Sequence, residues 1–165
     1  MSICPWKEIR EEYRVILLDG EIQLIFSKER EGLTGDGKST IRELYREYLK
    51  DSSHTARQIP VARMEEVLPE GTHYYFEWKH NLGRGAKATL HTDDPGLSDV
   101  RSLAQEAAAL LGARFVSVDV IETREGFSIL EINSGVMMEN LAGMSKENYA
   151  LAKSIYRKAI RKMLE

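Results

Sequence analysis

Cys4 is the only cysteine in the chain, which excludes an intrachain disulfide and any metal site built on several thiolates. Long apolar runs are also missing. Nothing approaches the roughly 20 consecutive apolar residues of a membrane-spanning helix. The opening MSICPWKEIR lacks the apolar stretch of a secretory signal, so a cytoplasmic protein with no membrane partner is expected. No block of one charge occurs: 23 Lys and Arg face 26 Asp and Glu along the chain, for a net charge of −3. A nucleic-acid partner normally needs a clustered basic stripe, and none is expected here. Lys146 to Lys162 is locally basic, but Leu151, Ile155 and Met163 at helical spacing make it read as a solvated helix face. The four histidines, at 54, 73, 80 and 91, show no ligand spacing.

What is there suits one domain with a real core. A chain of 165 residues buries roughly two-thirds of the surface its unfolded form exposes. Its 42% hydrophobic and 30% charged residues are ordinary for a globular enzyme or binding module. Residues 12 to 28, EYRVILLDGEIQLIFSK, are two β-rich runs around Asp19-Gly20, the strongest short-range hairpin signal. A Gly-rich loop, EGLTGDGK, leads to a helix capped by Ser39 or Thr40 and running through Lys50. Ile41, Leu44, Tyr45, Tyr48 and Leu49 form its apolar stripe. Asp51 to Gly71 reads as a loop with a short helix near Val61 to Val67, and Thr72 to Lys79 as a strand followed by the polar loop HNLGRGAK. Ser98 is expected to cap a largely buried helix ending at Gly112. Strands over Arg114 to Glu122 and Phe127 to Asn133, and a helix from Lys146 to Leu164, complete an α+β fold with a mostly antiparallel sheet and flanking helices.

The second hairpin carries the chemistry. Side chains alternate along a strand, so Val116, Val118 and Val120 share one face and Ser117, Asp119 and Ile121 the other. On the return strand Ile129, Glu131 and Asn133 are expected together, opposite Leu130 and Ile132. A turn centred on Glu125 sets Asp119 directly across from Glu131. Two facing carboxylates in strands of core character repel unless something compensates. A divalent cation does so simply, because Mg²⁺ takes hard oxygen ligands, and Asn133 adds an amide oxygen beside Glu131. A solvated polar face with a cross-strand Arg or Lys is the structural alternative.

Gly32 to Ser39, GLTGDGKS, fits the Walker A pattern, a third possible function as a P-loop NTPase. The preceding strand, however, belongs to a hairpin, and the βα alternation of a parallel nucleotide-binding sheet is missing. A surface turn that caps the following helix is the plainer reading.

Four segments, EYRVILLDGEIQLIFSK, GDGKSTIRELYREYL, KHNLGRGAKA and VSVDVIETREGFSILEINSG, together resemble the C-terminal ATP-binding lobe of the ATP-grasp superfamily. The nearest branch is that of ribosomal-protein glutamate ligase and cyanophycin synthetase. The resemblance runs from Cys4 to the end. It implies Asp119, Glu131 and Asn133 as ligands of Mg²⁺ (or Mn²⁺), and Arg14, Lys28 and Arg30 as cations for ATP phosphates along the first hairpin. Asn81 then holds phosphate and acyl-phosphate oxygens. Lys79 stands where relatives usually have arginine, and Arg84 and Gly85 fall on a substrate-side loop. Backbone groups of Ile3 and Cys4 are placed at the adenine. The implied catalytic residues are Arg14, Asn81 and Arg84, and the implied partners are ATP, a carboxylate, an amine and a first ATP-binding lobe. Relatives carry that lobe and a preceding domain upstream, and neither lies in residues 1 to 165. The expectation is therefore one partial domain, with an insertion at about 32 to 71, that is inactive as a ligase alone. A silent ATP-grasp-like binding module is the alternative function.

Overall fold

Asp19 and Gly20 both take positive φ, 49° and 77°, the conformation of the two-residue turn whose twist matches the strands it joins. The computed structural model describes residues 8–52, 54, 56–78, 80, 82–84 and 86–164. Its elements are β1 (Glu11–Leu18), β2 (Glu21–Glu29), β3 (Gly32–Thr34), α1 (Ile41–Tyr48), β4 (His73–Tyr75), β5 (Lys87–Leu90), α2 (Ser98–Leu110), β6 (Phe115–Thr123), β7 (Gly126–Asn133), α3 (Glu139–Ala142) and α4 (Lys146–Leu164). The chain divides into two units, one of residues up to Glu29 together with Lys87 onward, the other Arg30 to Ala86.

In the first unit every strand pairing is antiparallel, in the order β5-β2-β1-β6-β7. The α+β, mostly antiparallel expectation holds. One face packs on α2: Val15, Leu17, Ile25, Val116, Val118 and Val120 close on Val100, Ala104 and Ala108. Small alanines let that helix approach the sheet closely. The helix is not buried all round as expected, since Leu110 and Leu111 are 87% and 62% exposed. Nor does Ser98 cap it. Asp94 takes the N–H of Gly96 instead and caps a 3₁₀ turn, Pro95–Leu97, that runs straight into α2. Gly112, at φ 60°, ends it as expected. On the opposite face, the Phe115 ring meets Tyr156 of α4 edge-on, with centroids 6.2 Å apart. The other end of that face carries the charges.

Both hairpins contain one extra residue. In β1–β2 the ladder shifts between Ile16 and Leu17, leaving Gln23 unmatched, and in β6–β7 it shifts between Asp119 and Val120, leaving Leu130 unmatched. A bulge of this kind reverses which residues share a face. Ile22 and Ile25 accordingly both pack on the α2 side, as do Phe127 and Ile132. The expectation that Ile129 shares the face of Glu131 is therefore corrected, because Ile129 pairs with Val120. The turn is Arg124-Glu125, not one centred on Glu125, and the bulge restores the expected Asp119–Glu131 pair.

In the second unit α1 starts at Thr40, whose hydroxyl accepts from Glu43 N while the Glu43 carboxylate accepts from Thr40 N, a complete capping box. Its apolar stripe packs with Leu33, Ile59 and Leu68, and Leu44, Tyr45 and Tyr48 border that cluster. Leu49 is 41% exposed and falls outside it. The strand expected over Thr72 to Lys79 shrinks to the three residues of β4, paired with β3. Only a 3₁₀ turn, Val61–Arg63, forms where a short helix was expected.

Candidate functional site

Five charged side chains lie on one face of the first sheet. Arg14 donates from Nε to Asp119 Oδ1 at 2.7 Å and from an Nη to Oδ2 at 2.6 Å, the two-pronged geometry that fits guanidinium to carboxylate. Lys28 Nζ reaches Asp119 Oδ2 at 2.9 Å and Glu12 Oε1 at 2.5 Å. Glu131 stands opposite Asp119 in register and is exposed, and Asn133 stands opposite Ser117. Glu12, Lys28 and Asp119 are all buried, at 6%, 4% and 2% exposure.

Charges buried to this degree persist only when paired. Burial pushes the Asp119 carboxyl up, but the Arg14 hydrogen bonds and the Lys28 and Arg14 charges outweigh it and hold the carboxyl below its ordinary value. Glu12 goes the other way: burial raises it, and the nearby Asp119 adds to the rise, against the opposing pull of Lys28. Hydrogen bonding to Asp119 raises Arg14, and the charge of Glu131 contributes to the same shift. Two cations and two anions thus neutralise one another, with Glu131 as a further negative charge at the rim.

The donor set fits a hard divalent cation in kind: two carboxylates and an amide oxygen from adjacent strands, with the buried Ser117 hydroxyl, unpartnered among the described residues, across from Asn133. The site is not preassembled. Both Asp119 oxygens already bind cationic donors, and among the described residues no three His, Cys, Asp or Glu side chains converge on one point. Among the described residues the Glu131 and Asn133 side chains make no hydrogen bond, so their oxygens are available.

Of the other expected residues, Arg30 lies past the end of β2, in the second unit. Ile3, Cys4, Lys79, Asn81 and Gly85 lie outside the described residues, and Arg84 ends a 3₁₀ turn, Leu82–Arg84. Glu12 escaped the sequence reading. Only half of its signal was present: it precedes Arg14 by two and so shares its face, but the bulge that brings Lys28 to that face leaves no mark in the sequence.

The Walker-like turn has other work. Asp36 Oδ1 accepts the N–H groups of Lys38 and Ser39, and Glu43 takes that of Thr40. The donors that would cradle a phosphate are already used by the chain's own carboxylates.

No family model matches the sequence. The chain is 23% identical over 152 residues to cyanophycin synthetase of Trichormus variabilis, covering 81% of this chain and 17% of that protein. It is 31% identical over 90 residues to "Probable alpha-L-glutamate ligase" of Nitrosococcus oceani, covering 54% of this chain and 27% of the ligase. Among solved structures, a bifunctional glutathione synthetase from Pasteurella multocida superposes with a TM-score of 0.53 at 17% identity, over 81% of this chain and 21% of that one. The likeness to the synthetase is one of fold, and with the sequence relatives it is consistent with the C-terminal lobe of the ATP-grasp fold. The sequence is similar to cyanophycin synthetase and to the α-L-glutamate ligases, and it spans about a sixth to a quarter of their length.

Proposed function

We propose that this chain is the ATP- and Mg²⁺-binding lobe of a carboxylate-amine ligase that works through an acyl phosphate. The observation that carries the reading is the buried Arg14–Asp119–Lys28–Glu12 cluster, with Glu131 and Asn133 at its rim on one face of the sheet.

Such chemistry needs charge neutralisation and positioning rather than a nucleophilic side chain. Arg14 and Lys28 bind phosphate oxygens, and Asp119, Glu131 and Asn133 hold the metal. When bound, Mg²⁺ neutralises phosphate charge and polarises the oxygen that leaves. Without nucleotide the acids and bases occupy one another. A phosphate and a cation arriving together can replace each of those contacts with one of the same sign. Either alone must strip a buried charge of its partner, which is costly. ATP and Mg²⁺ are thus expected to bind cooperatively.

The rest of the reading rests on the sequence resemblance. Backbone groups of Ile3 and Cys4 meet adenine, Lys79 and Asn81 meet phosphates, and Arg84 faces the substrate. A first ATP-binding lobe in the cytoplasm is the partner that the resemblance implies.

The self-neutralised cluster also suits a second reading, a silent binding module in which the four charges only staple β1, β2 and β6 together. Calorimetry separates the two. Titration of ATP with Mg²⁺ gives saturable heat under the first reading and none under the second.

A further inference from the structure

Outside the charge cluster, Arg30 has a side-chain nitrogen that is buried and unsatisfied among the described residues. Arg42, Arg57 and Arg63 of the second unit each hold a glutamate. Arg30 holds none: among the described residues it has no hydrogen-bond acceptor, and its Nε is buried without a partner. Its neighbour Glu31 is committed to Arg57 at 2.8 Å and to the Tyr48 hydroxyl at 3.0 Å. What Arg30 does have is a platform. Its guanidinium carbon sits 3.8 Å from the centroid of the Tyr75 ring, a cation–π contact that does not consume its N–H donors.

The strands explain why the platform is open. In β3–β4, Leu33 and Tyr74 turn into the core while Gly32, Thr34, His73 and Tyr75 share the outer face. Gly32 pairs with Tyr75 and offers no side chain beside its ring, which is 40% exposed. On the far side the His73 ring stacks on Tyr75 at 5.8 Å and 22°. Thr34 Oγ1 lies 3.1 Å from His73 Nδ1 and holds the ring in place. A guanidinium and an imidazole thus both lie against a half-exposed tyrosine.

We propose that this face binds a carboxylate on a short aliphatic stem, the carboxylate pairing with Arg30 and the stem lying over Tyr75. The proposal stands on the second unit alone and goes beyond the ligase reading, since it needs nothing of the nucleotide site. Binding itself is measurable without turnover.

The test is an NMR titration of the whole chain with glutarate, and separately with inorganic phosphate, following the Arg30 Nε–H, the His73 ring and the Tyr75 ring. Glutarate is expected to shift all three saturably, at concentrations about tenfold below those phosphate requires, and Arg30→Lys, which keeps the charge but not the fork, to weaken the response about tenfold. Equal or tighter phosphate binding overturns the proposal and makes Arg30 a phosphate contact. Shifts that persist in Arg30→Ala, or no saturation, also overturn it. A parallel titration with ATP and Mg²⁺ keeps the two claims apart. Glutarate binding without nucleotide binding sinks the ligase reading and leaves this site standing, and the converse result does the reverse.

Discussion

Glu131 stands directly opposite Asp119 because β7 carries one residue more than the strand it pairs with. Counted from the Arg124-Glu125 turn without the bulge, Leu130 would face Asp119 and Glu131 would fall on the α2 side. The β2 bulge at Gln23 does the same for Lys28, which would otherwise lie across from Glu11 rather than Glu12. Two single-residue irregularities thus gather Lys28 and Glu131 on the face of Arg14 and Asp119.

Deleting Leu130 removes the bulge yet leaves Glu131 as the next residue opposite Asp119. Nucleotide affinity is then expected to stay within about threefold of wild type, whereas inserting one alanine between Leu130 and Glu131 reverses the face and abolishes binding. Calorimetry on both variants checks the pair of outcomes. Loss of affinity in the deletion would disconnect the register from the site.

Lys28→Met leaves Glu12 and Asp119 buried side by side with one cation fewer. The expected loss is about 3–5 kcal/mol of stability, the usual cost of stripping one partner from a buried pair. Adding Glu12→Gln to Lys28→Met should recover part of it, since the uncompensated charge is then gone. Urea denaturation of the single and double variants measures both.

Acid and neutral conditions should act on the cluster with opposite sign. Asp119 is held below its ordinary 3.8, so its contribution is full above that pH and is lost as pH falls through the lower folded value. Glu12 is raised above 4.5, as is Glu11, where burial acts first and Glu29 adds to it. For these two the folded state binds the proton more tightly, so stability falls as pH rises from 4.5 through the folded values. The urea midpoint of Glu12→Gln followed over pH 3 to 7 should show a shallower decline above 4.5 than wild type; an unchanged slope would count against a raised Glu12.

Much of this was legible in the sequence, and the misses have causes. The Asp119–Glu131 pair was expected from a turn centred on Glu125 and stands because the bulge at Leu130 offsets the two-residue turn, whereas the Asp-Gly turn, the long strands and α4 announce themselves by turn chemistry and sustained period. The elements β3, β5 and α3 did not, because three or four residues are too few to display a period, and β5 is mostly exposed. Neither bulge is visible in composition. Glu12 and Lys28 were missed as a pair for that reason, since an unbulged hairpin puts them on opposite faces.

The Gly32 to Ser39 motif shows how a pattern match yields to local chemistry. Asp36 and the Thr40–Glu43 capping box use the N–H groups that a bound phosphate would need. Thr40→Ala is expected to cost about 1 kcal/mol of stability, and Lys38→Ala to leave nucleotide affinity unchanged. A thermal melt and a binding titration test these, and an affinity loss at Lys38 would revive the P-loop.

The central claim is that the Asp119 cluster is a nucleotide and metal site rather than a staple, and calorimetric titration of ATP tests it most directly. Wild type is expected to bind ATP with Mg²⁺ present and at least about tenfold more weakly without it, and Asp119→Asn to lose that dependence on the metal. Binding of equal strength with and without Mg²⁺, or the same affinity and metal dependence in Asp119→Asn, would contradict it.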